Sequence, residues 1–117
     1  MKKILASSLM CLALLGIAAL PARAAVQDTP AQLISGIAVG PGLNIEVSFP
    51  NMSNSQGCGF NGAYVIDNTL DAATRQSILA LLLTAKDRGW KVRVRLSGCA
   101  DRPKFHYAFI EPTWLPG

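Results

Sequence analysis

The chain has 117 residues, room for one domain, and no run of eighteen apolar residues away from its N-terminus, which excludes a multi-span membrane protein. One histidine and three cysteines are too few for a zinc ribbon or finger array. A composition that is 50% hydrophobic and 15% charged excludes a disordered tail, and the formal net charge of +4 needs its origin traced before it implies a partner.

Residues 1–24 read as a signal peptide. Lys2 and Lys3 form a positive head, residues 4–20 are apolar except for Ser7, Ser8 and Gly16, and Ala22-Arg23-Ala24 fits the small-x-small cleavage rule. Cleavage after Ala24 predicts an exported protein, periplasmic or secreted, with no membrane span left. The leader takes Lys2, Lys3 and Arg23 with it, so 93 residues remain with 8 basic and 7 acidic side chains. The net charge falls to about +1, which removes the main argument for a nucleic-acid partner. Cys11 also leaves. Cys58 and Cys99 remain, and in an oxidising compartment an isolated pair predicts a disulfide.

The remaining residues, 25–117, predict a single domain. After a polar stretch at 27–32, residues 33–39 alternate with Leu33, Ser35, Ile37 and Val39 on one face. Residues 43–49 place Leu43, Ile45, Val47 and Phe49 opposite Asn44, Glu46 and Ser48. With Gly40-Pro41-Gly42 between them, the two runs predict a β-hairpin. Residues 50–62 are rich in Asn, Ser and Gly and predict a loop, and residues 63–67 a third strand.

Asp71 is placed to cap a helix that stops near Gly89. Its apolar residues, Ile78, Leu79, Leu81, Leu82, Leu83 and Ala85, cover more than one stripe, which predicts burial on more than one side or an oligomer contact. Residues 90–96 give the cleanest alternation, with Trp90, Val92, Val94 and Leu96 on one side and Lys91, Arg93 and Arg95 on the other. After a break around 97–103, residues 104–110 predict the last strand. There Phe105, Tyr107 and Phe109 oppose Lys104, His106 and Ala108. Residues 111–117 read as a tail with two prolines and Trp114.

The predicted order, β-β-β-α-β-β, is that of a five-stranded OB-fold-like barrel, mainly β with one helix as a plug; a split α+β sandwich is the rival. Catalysis finds little support. His106 is the sole imidazole and sits in no recognisable motif, the carboxylates show neither calcium-loop nor paired spacing, and no phosphate-cradling glycine loop occurs. The expectation is therefore a non-enzymatic protein without cofactor or metal. The best ligand candidates are Lys91, Arg93 and Arg95, three cations on one strand face, suited to a carboxylate or phosphate. The competing reading is a solvated sheet face.

From Leu33 onward the chain resembles the binding subunits of subtilase-cytotoxin and pertussis-like bacterial toxins. The resemblance lies in Ile34-Ser35-Gly36-Ile37, in Thr84-Ala85-Lys86-Asp87-Arg88-Gly89, and in Val92-Arg93-Val94 directly after it. It implies an OB-fold subunit that forms a homo-pentamer, binds sialylated glycans and pairs with a toxin A subunit. It also implies that Ser35 contacts the sugar carboxylate. Two features depart from the family: Leu96 stands where an aromatic contributes, and Cys58 and Cys99 are far apart rather than bridged within the early strands. The alternative is a stand-alone periplasmic OB-fold protein of the envelope-stress type that binds a small ligand or cation.

Overall fold

The computed structural model describes residues 25–111; the expected signal peptide at 1–24 and the tail residues 112–117 lie outside the described residues. Within them are six strands and one helix. These are β1 (Gln27–Asp28), β2 (Gly36–Gly40), β3 (Asn44–Ser48), β4 (Tyr64–Ile66), α1 (Ala72–Arg88), β5 (Lys91–Ala100) and β6 (Arg102–Glu111). They form one mixed sheet in the order β1-β5-β6-β4-β3-β2, antiparallel except where β4 runs parallel to β6.

The protein is thus mainly β with one helix, as expected, but the sheet has six strands rather than five and is not a closed barrel. The reason lies in residues 27–40: the stretch at 27–32, read as a polar entry, pairs with the sheet as well, and the strand read at 33–39 begins only at Gly36. Residues 27–32 lie along β5, with Gln27 opposite Leu96, Asp28 opposite Arg95 and Gln32 bridged to Val92. Pro30 has no N–H to give to a ladder. At this point the buried Thr29 replaces a main-chain partner with its hydroxyl, which accepts from Val94 N–H at 3.0 Å. Further on, Ser35 N–H bonds to Ser48 C=O at 2.8 Å and β2 pairs with β3. Consecutive lengths of one segment therefore border opposite ends of the ladder without being paired to each other.

The core forms mainly from the inward faces of β3, β4, β5 and β6. Ile45, Val47 and Phe49 of β3 and its end, Tyr64 and Ile66 of β4, and Val92, Val94 and Leu96 of β5 are buried with Phe105, Leu82 and Ala85. The alternation read for 43–49 and 90–96 holds. In the first predicted strand Ile34 enters the core while Leu33 stays exposed, so the face changes across the break between β1 and β2.

Helix α1 begins where Asp71 accepts from Thr74 N–H at 2.7 Å and ends at Gly89, in the left-handed region at φ 68°. Trp90 N–H reaches back to Ala85 C=O and Gly89 N–H to Lys86 C=O, the Schellman pattern that satisfies the last carbonyls. Only Leu82 and Ala85 are fully buried; Ile78, Leu79 and Leu81 are partly covered and Leu83 is exposed. The helix therefore covers one side of the core rather than sitting within it. Among the described residues no helix is long and apolar enough to cross a membrane.

The disulfide is present. Cys58 and Cys99 are bonded, their Cα atoms 5.7 Å apart. The bond ties the 50–62 loop to β5, and closing a loop of this length contributes about 4 kcal/mol in the chain-entropy model. The loop has its own ties as well. The Asn54 carboxamide accepts from Cys58 N–H and donates to Cys58 C=O, and the buried Gln56 donates to Ala25 C=O and accepts from Gly98 N–H. Ser53 N–H donates to the phenol oxygen of Tyr64.

Candidate functional site

The β5–β6 hairpin departs most from the sequence reading. The expected break at 97–103 is strand almost throughout, and the chain reverses at Asp101 alone, in the left-handed region at φ 70°. Aspartate tolerates that conformation better than most residues. Two register shifts lie within the hairpin. Ser97 and Gly98 together face Lys104, because Leu96 pairs with Phe105 and Cys99 with Pro103; Gly98, at φ 76°, supplies the left-handed backbone this needs. On β6, Phe105 opposes Leu96 and Tyr107 opposes Arg95, so His106 is an extra residue, a β-bulge.

The His106 bulge reverses the face of everything after it. Phe105 points into the core, as expected. Beyond the bulge, Ala108 and Ile110 pack toward the core opposite Val94 and Val92, while Tyr107 and Phe109 stand outward opposite Arg95 and Arg93. The single aromatic face read for Phe105, Tyr107 and Phe109 is corrected: a bulge lies between the first and the other two.

The outward surface is an arginine–aromatic cluster. The guanidinium carbon of Arg95 lies 5.1 Å from the ring centroids of both Tyr107 and Phe109, and the two rings are 4.7 Å apart. Arg95 Nε donates to Asp28 at 2.8 Å, which fixes the guanidinium from the β1 side. Arg93 is paired with Glu111 at the far end of β6. Asp28, Arg93, Arg95, Phe109 and Glu111 line a shallow depression of about 370 Å³, and Tyr107 beside it is 49% exposed. The bond from Arg95 holds the Asp28 carboxyl below the usual carboxylate range, and the same bond raises Arg95.

The expected positive stripe is therefore largely neutralised. Arg93 and Arg95 each carry a carboxylate; Lys91 is exposed and forms no ion pair among the described residues. Lys104 and His106 of β6 lower Asp67 from a distance, although its main stabiliser is the Thr69 N–H. Ser35 is exposed beside β3, its N–H engaged by Ser48, and it does not line the depression that holds the arginines. Among the described residues no group of three or more His, Cys, Asp and Glu side chains is placed to hold a metal ion.

Four residues of this surface, Asp28, Tyr107, Phe109 and Glu111, were not singled out from sequence. One signal was available. Over 107–110 both alternating positions are apolar, Tyr107 and Phe109 on one parity and Ala108 and Ile110 on the other. A half-exposed strand rarely carries that pattern without a change of face. Comparison with family models, with curated proteins and with solved structures finds no match.

Proposed function

We propose that this protein is an exported, non-enzymatic binding module whose ligand surface is the outward side of β5–β6, and that it takes an acidic glycan. The observation that carries this reading is the His106 bulge, which places Tyr107 and Phe109 next to Arg93 and Arg95. Aromatic faces accept the apolar face of a sugar ring, and a planar guanidinium offers paired donors to a carboxylate. Because Asp28 and Glu111 occupy those donors in the free protein, an acidic ligand must displace them, so affinity is moderate and falls with salt.

An OB-type barrel is part of the same reading. Counted with 27–40 as one interrupted strand, the ladder runs fourth, fifth, third, second, first, and the interrupted strand meets the fourth strand at one end and the second at the other. A partly open five-stranded barrel requires that arrangement. The homo-pentamer and the toxin A partner enter through the resemblance alone. A ring of five in sizing of the oxidised protein supports them, whereas a monomer supports the stand-alone periplasmic alternative.

A glycan array probed with the oxidised protein tests the ligand. The expected result is binding to sialylated or uronic-acid glycans that Arg95→Ala abolishes and Ser35→Ala, outside this depression, leaves unchanged. Absence of binding, or binding indifferent to Arg95→Ala, removes the proposal; loss in Ser35→Ala with Arg95→Ala neutral supports instead the sugar contact that the toxin-subunit resemblance implies.

A further inference from the structure

A second cluster lies on the sheet away from these arginines, around Glu46 of β3. Arg102, at the start of β6, is ion-paired with Glu46 and lies 3.6 Å from the Asp101 carboxylate. Its guanidinium carbon also sits 4.9 Å from the ring centroid of Phe60, which is 48% exposed. Phe60 is held by a constrained loop: its N–H bonds to Asp101 C=O at 3.2 Å, and Cys58, two residues before it, is in the disulfide. The ring tip lies against Gly62, where a Cβ would fall 2.5 Å from it, so the ring's position depends on glycine there.

Two depressions flank this ridge and share Glu46. One, of about 230 Å³, is shallowly walled by Gly36, Ala38, Ser48, Gly62 and Ala63. The other, of about 200 Å³, is lined by Asn44, Val65, Asn68, Asp101 and Arg102. Phe60 touches one residue of each, Gly62 and Arg102. Each is smaller than the roughly 300 Å³ at which small-molecule pockets begin, so an occupant that uses the site extends across both.

The charges decide its chemistry. Glu46 and Asp101 outnumber Arg102, whose guanidinium they already engage, so nothing here attracts an anion. Glu46 is likewise committed to Arg102, which argues against capture of a cation. The remaining features are an exposed, fixed aromatic ring, carboxamides from Asn44 and Asn68, the Ser48 hydroxyl and free carboxylate lone pairs. This set fits a chain of uncharged polyol rings, apolar on one face and hydroxyl-rich at the edge. We infer that the Phe60–Arg102–Glu46 ridge is a second binding site, for a neutral glycan of at least two sugar units, one in each depression. The site is independent of the β5–β6 face and does not require that reading.

The test is an NMR titration of the isotope-labelled, oxidised protein with cellobiose, lactose and N,N′-diacetylchitobiose, each beside its monosaccharide. The expected result is that at least one disaccharide shifts the Gly62, Ala63 and Asn68 amides and binds about tenfold more tightly than its monosaccharide. Phe60→Ala should then weaken binding about tenfold, while Arg95→Ala leaves it unchanged. Gly62→Ala, which displaces the ring without removing it, should have the same effect as Phe60→Ala and reads the site independently if that variant is unstable. No shift with any of the three sugars overturns the proposal. So do shifts confined to the β5–β6 face and lost in Arg95→Ala.

Discussion

The two hairpins of the sheet achieve their geometry in opposite ways. β2–β3 keeps an unbroken register from Gly36–Ser48 to Gly40–Asn44 and concentrates its irregularity in the turn, where Gly42 and Leu43 both have positive φ. A leucine at φ 59° is costly, and the turn is held from outside: the Arg75 guanidinium on α1 donates to Gly42 C=O at 2.7 Å. β5–β6 has almost no turn and places its irregularity within the strands, at Ser97-Gly98 and at His106. Regular pairing there would have kept Phe105, Tyr107 and Phe109 on one face. The insertion at His106 instead leaves one aromatic in the core and turns two outward beside the arginines. Both hairpins supply core residues, and the irregular one also turns side chains to the outer surface.

The largest expected effect falls where the irregular hairpin still serves the core. Phe105 is fully buried opposite Leu96, so Phe105→Ala should cost about 3–5 kcal/mol in urea unfolding. Val39→Ala on the exposed edge of β2 should lie within about 0.5 kcal/mol of the parent. Equal losses at the two positions would mean that Phe105 and Val39 are not the core and surface residues described. Replacing Cys58 and Cys99 with alanine should cost about 4 kcal/mol, measured as the fall in unfolding midpoint relative to the oxidised parent. A loss below about 1 kcal/mol would show that the Asn54 and Gln56 hydrogen bonds hold the loop without the disulfide.

Arg75→Ala sharpens the comparison from the other side. Removing the donor to the β2–β3 turn should cost about 1–2 kcal/mol and increase amide exchange at Gly42 and Leu43, while β5–β6 protection stays unchanged.

The smallest effects are those of pH. The Asp67 and Asp71 carboxyls are lowered, the first by the Thr69 N–H and the second by the Thr74 hydroxyl and N–H. Their contribution is complete above the unfolded carboxylate value, about 4, and is lost as pH falls through the lower folded values. Burial raises the Tyr64 phenol, so its contribution is complete below about 10 and is lost as pH rises through its folded value. Thermal unfolding should therefore be flat between roughly pH 5 and 9 and decline on both sides. A maximum confined to the acid side would contradict these assignments.

Legibility in the sequence follows the same division. The helix, its Asp71 and Gly89 ends, the β3 face and the inward row Val92, Val94 and Leu96 could be read because each rests on a local pattern with one period. The cysteine pairing could be read because the expected cleavage after Ala24 leaves two candidates. The interruption between β1 and β2 was less legible, since Pro30 marks a break but the Thr29 hydroxyl that bridges to Val94 is a tertiary substitution. The outward aromatics were hidden by the bulge. Alternation assumes one residue per position, and the extra residue at His106 becomes visible only against the partner strand. Asp28 and Glu111 were hidden because ion pairs across strands depend on register.

The most direct test is the placement of the Tyr107 ring in the oxidised protein, read from nuclear Overhauser contacts in solution. A bulge at His106 predicts contacts from the ring protons to the Arg95 side chain and the Phe109 ring, with Phe105 contacting Leu96. Contacts from Tyr107 to the Val92 and Val94 methyls would instead mean that β6 alternates without interruption, and the proposed ligand surface would not exist.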